Sequence, residues 1–383
     1  MAKTRDSLRS ARLPAHFDIL AIGHHAAAYL AAAVGKAQQP GLTVGHLTLP
    51  AEAPPDRLAV VNPKLFELHP LLKTLRKPFC QATTCGALFL SEKPPERGDY
   101  SSNTATSAVV GTNAFTNAAA DIARAAGVFL AKCKSSFDLS KVEDSGVEML
   151  VDGQPTRARV LIVASPLPQS SGRVIGHAFD ADRESVQRYH FAAIDASKVT
   201  AQKQLAMSLD LNGTGAWAWL LRAGETAELA VMQPTGRAVL PAGGEIGTWM
   251  ANLVDHGLLP AGLKVGATTT LQLPVAGALS GETVANRTLL VGPAGGFFSA
   301  CNEDLYPGCW SAILAADVAV AALGARHVQD ALLSYRESWG STVGDYLRGP
   351  QQNLRLLLPL IYRNPIMAAR VGEAIFLGES VVR

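Results

Sequence analysis

The stretch Phe17–Leu49, FDILAIGHHAAAYLAAAVGKAQQPGLTVGHLTL, decides the fold. Phe17–Gly23 is a short apolar run ending in glycine, the pattern of a strand buried on both faces. The alanine-rich segment that follows, HHAAAYLAAAVGKAQQ, is helical by propensity. Thr43–Leu49 reads as a second strand, stopped by Pro50. Strand, glycine turn, helix and strand in about 30 residues make a βαβ unit. Its right-handed crossover sets the two strands side by side and parallel.

Outward from this unit the chain returns to the same sheet twice. Ala51–Pro63 is rich in proline and charge, Pro63–Thr74 predicts a short helix and Thr112–Gly127 a longer one with a glycine stop. Val128–Asp152 reads as an antiparallel excursion turning near Asp144 and Ser145. RVLIVA, Arg159–Ala164, is a buried strand, and so is Arg287–Val291, whose GPAGG turn leads into a long helix over Pro307–Gly324. Between these returns the pattern changes. Lys198–Asp210 alternates, Gly215–Arg222 and Thr226–Gln233 flank an Ala-Gly-Glu turn as a hairpin, Ala242–His256 is a helix and Ala267–Leu273 a strand. The expected organisation is an α/β protein: a discontinuous Rossmann-like domain (14–170 plus 285–325), an antiparallel substrate-type domain (171–284), and a helical C-terminal segment (326–383) with breaks at Pro350, Pro359 and Pro365.

Composition narrows the function. Hydrophobic residues are 48% and charged ones 17%, too apolar for a disordered chain, and a net charge of +2 gives no broad attraction to nucleic acid. Cys80, Cys85, Cys133, Cys301 and Cys309 are odd in number and lack the paired spacing of a zinc site, so reduced, buried thiols are expected and no metal. Met1–Leu13 is basic and polar without an apolar core, and no run of 18 apolar residues occurs, so a cytoplasmic protein is expected.

Three segments in order resemble the FAD-dependent oxidoreductases of the geranylgeranyl reductase and para-hydroxybenzoate hydroxylase group: Phe17–Val34, Arg159–Val174 (RVLIVASPLPQSSGRV) and Thr288–Val318 (TLLVGPAGGFFSACNEDLYPGCWSAILAADV). The C-terminal YRESWG, LLPLIYRNP and MAARVGEAIF are similar to that group as well. The resemblance implies FAD, reached from Gly23, His24, His25, Ala28, Thr48, Gly292, Gly295, Gly296 and the helix start at Leu305. It implies reduction or hydroxylation of a hydrophobic, isoprenoid-like substrate, with NAD(P)H as a candidate donor.

The cofactor motifs are degenerate. In G-x-G-x-x-G the second glycine lets the backbone approach the pyrophosphate; here it is His25, while Gly23 is kept and Ala28 stands third. Thr48 holds the place of the acidic ribose ligand. Pro293 replaces the aspartate of Gly-Asp-Ala-Ala-Gly, Ser165-Pro166 replaces Asp-Gly, and Asp304 replaces the second glycine of Gly-x-Gly-Ile at a helix start that faces flavin in the group. Gly111, Thr112 and Asn113 stand where the group has an arginine ahead of a phenylalanine. These changes act on one ligand, so FAD binding is expected to be weakened or lost. Two functions compete: a flavin-dependent oxidoreductase, and an FAD-free binding or scaffold protein.

Other residues carry smaller expectations. Trp217 and Trp219, one strand face apart, resemble the W-x-W of flavin-dependent halogenases; with Phe297, Phe298 and Tyr306 they are the expected walls of an apolar substrate pocket between the lobes. The alternative is ordinary core. His24, His25 and His46 are read either as a ligand cluster or as helix-start residues and a satisfied strand histidine. Cys301 and Cys309, beside a helix start, have no base assigned and are read as structural. Leu354–Phe376, with Arg355, Arg363 and Arg370, reads either as a helix lying on a membrane surface or as a layer closing the back of the fold.

Overall fold

The expected βαβ unit is present: β1 (His16–Ile22) and β2 (Val44–Thr48) pair in parallel, with α1 (Ala26–Gln38) as the crossover. The computed structural model describes residues 13–50, 55–165, 167, 174, 186–201, 203–234, 244–274, 282–301, 303–347 and 354–379. Pro166, the serine-rich turn after it, Pro350 and the side chain of Arg355 lie outside the described residues.

The first sheet has eight strands, in the order Val284–Ala285, Thr288–Leu290, Gln154–Val163, β1, β2, Phe129–Lys132, with the hairpin Phe137–Glu143/Gly146–Val151 laid antiparallel on Gln154–Val163. Thr288–Leu290 runs parallel to Gln154–Val163, which runs parallel to β1, so the three expected strands share one sheet. On one face α1 lies against the long helix Leu305–Leu323. Both present alanines to the seam, Ala27, Ala28, Ala31 and Ala32 with Ala312, Ala315 and Ala319; side chains this small let two helices and a sheet approach closely. The long helix is apolar enough by composition to cross a membrane, but here it forms core.

The second sheet has seven strands: Thr269–Pro274, Val186–Asp195, Thr226–Pro234, Ala216–Ala223, Leu205–Leu211, Gly86–Leu90 and Arg97–Ser101. The last two come from inside the range assigned to the first domain. Gly86–Leu90 joins in parallel through Ala206 and Met207, a long-range pairing that no local pattern announces. A three-stranded sheet, with β3 (Leu58–Val61) beside Ser107–Gly111, packs against α1 and the long helix through Ala59, Val61, Ala108 and Val110.

Two further differences are local. Pro63–Thr74 is not one helix but a 3₁₀ turn, Pro63–Glu67, and a single α-turn, Pro70–Lys73, because Pro70 lacks the N–H that would continue the first turn. Pro359 does not break its helix, Leu354–Arg363; packing holds that helix past the missing hydrogen bond, and Pro365 opens the next, Pro365–Leu377. The two close the back of the second sheet through Ile361, Ala368, Val371 and Ile375, leaving Leu356, Leu360 and Ile366 exposed.

Candidate functional site

The turn after β1 is built for glycine. Gly23 has φ +135°, and a Cβ there would stand 2.6 Å from Ser165 Oγ and 2.9 Å from its backbone nitrogen. Its carbonyl accepts a hydrogen bond from His46 Nε2 at 2.9 Å. Burial depresses His46 to a pKa of about 3, so the ring is neutral and donates. That ring stacks on Tyr29, centroids 3.7 Å apart, and the Tyr29 hydroxyl meets Thr48 Oγ1 at 3.2 Å. Thr48 thus already has a partner from α1. His24 donates from Nε2 to the Leu49 carbonyl at 2.9 Å and from its backbone to Ser165 Oγ at 3.1 Å. Ala28 is buried where helix and sheet pack. His46 is a buried strand histidine whose Nε2 bonds the Gly23 carbonyl while its Nδ1 has no hydrogen-bond partner, and His24 and His25 stand partly buried at the helix start. Among the described residues no group of three or more His, Cys, Asp or Glu is arranged for a metal ion.

His25 is the residue on which the site turns. It is the N-cap of α1, and its Nδ1 accepts the Ala27 N–H at 3.1 Å. The first turn of a helix is where a dinucleotide's pyrophosphate finds free N–H groups; here a ring nitrogen of the protein takes one. The ring lies between two glycines. A Cβ on Gly292 would come within 3.2 Å of its Nδ1, and one on Gly308 within 3.0 Å of its Cε1. These glycines, both in the segment Thr288–Val318, make room for an imidazole. Gly292–Gly295 is a one-turn helix ended by Gly296 at φ 76°, so the GPAGG turn is kept in shape while Pro293 lacks the carboxylate.

Because Nδ1 accepts, the ring proton sits on Nε2, which points toward Asp304 Oδ2 at 3.6 Å. The other oxygen, Oδ1, receives Arg57 Nη2 at 3.2 Å. Burial works against the Asp304 carboxylate, but Arg57 and then His25 outweigh it and hold its pKa below the ordinary range. Asp304 does not cap the long helix, as its position suggests: Glu303 does, accepting the Tyr306 N–H through Oε1. Glu303 Oε2 is buried without a hydrogen-bond partner, and burial lifts this carboxyl to about 8. Arg57 also lies 5.4 Å from the ring centroid of Tyr189 in the second sheet. The Tyr189 hydroxyl donates to Glu228 at 3.4 Å, the Leu58 N–H donates to the same carboxyl at 2.9 Å, and burial raises Glu228 to about 7.

Arg57, Glu228 and Glu303 belong to the buried charge network beside the candidate site, and motif reading missed them. A signal existed for two of them: Arg57 and Glu228 are charges beside or within apolar runs, in DRLAVV and AELAV, whereas Glu303, between Asn302 and Asp304, carries none. Buried charges are rare unless paired.

A cavity of about 290 Å³ opens beside this network, lined by His24, His25, Tyr29, Pro55, Arg57, Thr112, Asn113, Thr116, Asn117, Asp304 and Leu305. It sits at the lower edge of the roughly 300–1,000 Å³ typical of pockets for one small ligand. The residues present do not fit a dinucleotide such as FAD: the helix N-H site is capped, the ribose position is bonded to Tyr29, and the space is small.

The expected aromatic pocket residues lie elsewhere. Trp217 and Trp219 face the core under the second sheet, Trp219 against Tyr189 at 5.6 Å. Phe297 is edge-on to Trp339, Tyr306 packs with Trp310 and Tyr346 in another core, and Phe298 is fully buried. None of the five lines the cavity described above. Burial raises the thiols of Cys301 and Cys309, the structural behaviour expected of them; Cys85 is exposed, unlike the buried thiols anticipated.

No protein-family model and no curated protein matches the sequence. Solved structures do match the fold. A geranylgeranyl bacteriochlorophyll reductase-like protein from Thermoplasma acidophilum superposes with a TM-score of 0.68 at 13% identity, over 93% of this chain and 88% of that one. A p-nitrophenol 4-monooxygenase from Pseudomonas putida gives 0.63 at 15% identity, over 95% and 98%. A triple mutant of a flavin-dependent brominase gives 0.66 at 15% identity, over 95% and 94%. The resemblance read from three sequence segments thus extends over the whole architecture, and the fold of this chain is that of the flavin-dependent oxidoreductases.

Proposed function

We propose that this protein keeps the flavoenzyme fold without the cofactor and works as an FAD-free, non-redox binding protein. One observation carries the reading: the His25 ring caps α1 and packs against Gly292 and Gly308 on the path of the pyrophosphate. The Tyr29–Thr48 contact supports it from the ribose side. The internal Asp304 carboxylate adds charge opposition, since an incoming diphosphate meets a buried anion already matched to Arg57. Losing a charge-assisted ribose bond costs about 1.5–3 kcal/mol, and each 1.4 kcal/mol is about tenfold in affinity.

The test is direct. Protein purified under mild conditions is expected to be colourless between 350 and 500 nm, a window of roughly the flavin absorption, and to show no saturable FAD quenching. One FAD per chain would overturn the proposal and return the chain to the oxidoreductases that act through flavin on hydrophobic substrates.

A further inference from the structure

Resting on that FAD-free reading, we infer that the cavity beside His25 is a working site for a small uncharged molecule bearing hydroxyl or amide groups, and that it discriminates against anions. The helix starts at its edge are closed to anions by the protein itself. His25 takes the first-turn N–H of α1. Asp56 accepts the Asn113 N–H at 2.9 Å and the Thr112 hydroxyl at 3.3 Å at the start of the helix Thr112–Ala125. Glu303 caps the helix that begins at Leu305. A phosphate entering here finds caps already made, and it meets the lining carboxylate of Asp304, which already matches the guanidinium of Arg57. Electrostatics therefore oppose the class of ligand that this end of a nucleotide-binding fold ordinarily attracts.

What the cavity offers instead is neutral polarity. Asn113, Thr116 and Asn117 fall at i, i+3 and i+4 on one face of their helix and contribute amides and a hydroxyl, groups that both donate and accept. Tyr29, Pro55 and Leu305 supply apolar wall. A volume of about 290 Å³ suits one ring system with polar substituents. No covalent step is implied; the site binds.

Calorimetric titration of the full chain with three matched pairs tests this: adenosine and AMP, nicotinamide and nicotinate, glucose and glucose 6-phosphate. At least one uncharged member is expected to bind saturably, with its anionic counterpart at least about tenfold weaker. Asn113→Ala with Asn117→Ala, on a partly exposed helix face, is expected to weaken that binding at least about tenfold with an unchanged melting temperature. Asp304→Asn, which removes a carboxylate facing Arg57, is expected to move preference toward the anion. Absence of saturable binding by all three uncharged probes, an anion binding as tightly as its partner, or indifference to the double asparagine variant would overturn the inference. FAD titrated in parallel separates the two readings. If FAD binds one per chain, the FAD-free proposal falls; if neither FAD nor any neutral probe binds, only the present inference does.

Discussion

His25 Nε2 and Asp304 Oδ2 stand 3.6 Å apart, joining the first turn of α1 to the residue just before the long helix. In a dinucleotide-binding fold the cofactor spans such elements; here two side chains do. The first prediction follows. His25→Gly with Thr48→Glu and Pro293→Asp is expected to raise FAD affinity over the wild type, read by quenching of FAD fluorescence. No gain would mean that the cavity is closed by more than these three residues.

Gly308 and His25 are coupled sterically. Gly308→Ala puts a methyl 3.0 Å from His25 Cε1 and 3.2 Å from Gly292 Cα. The single variant is expected to destabilise by about 1–3 kcal/mol, as overpacked sites do. In a His25→Gly background the cost should shrink, giving a coupling of about 0.5–3 kcal/mol in a denaturation double-mutant cycle. Additive losses would place the ring elsewhere.

Arg57 and Asp304 form a buried pair, with side chains 7% and 12% exposed. Arg57→Met takes the nearer cation from a buried carboxylate, leaving it His25 Nε2 at 3.6 Å, and is expected to cost about 3–5 kcal/mol. Adding Asp304→Asn should recover much of it. Urea melts of the single and double variants decide, and equal stability of the two would show that the pair is solvated.

Acidic side chains with raised pKa values set the pH dependence. Burial lifts Glu228 to about 7 and Glu303 to about 8. The folded chain holds these two protons where the unfolded chain, with glutamates near about 4.3, has released them. This contribution is complete below about pH 4.3 and is lost as pH rises through about 7 to 8, each proton changing stability by up to about 1.4 kcal/mol per pH unit. Asp304, held low chiefly by Arg57 against its burial, acts oppositely, its contribution lost as pH falls through its depressed pKa. Buried His46, depressed to about 3, works the other way below an unfolded value of about 6.5, so melting temperature is expected to fall from about pH 6.5 to 8, with a shallower slope in Glu303→Gln. A rise over that range would refute the assignment.

The sequence by itself determined the architecture in its locally coded parts. The apolar run of Phe17–Gly23, the alanines of α1 and the strand at Thr43–Leu49 specify a βαβ unit because period, length and glycine punctuation are local properties of the chain. The hairpin around Gly224 and the long apolar helix are legible for the same reason. Sequence also showed that an imidazole stands at the second position of the glycine motif. Only the tertiary structure decided what that imidazole does. Its orientation depends on Gly292 and Gly308, brought to α1 by strand pairing far along the chain, and on Asp304 as a partner for the proton on Nε2. The strands Gly86–Leu90 and Leu58–Val61 likewise found their sheets by long-range pairing, and with β3 came Arg57, the cation of the site. Residue types and spacings are written in one dimension, whereas the matching of a buried charge or the filling of a cradle is a property of several segments at once.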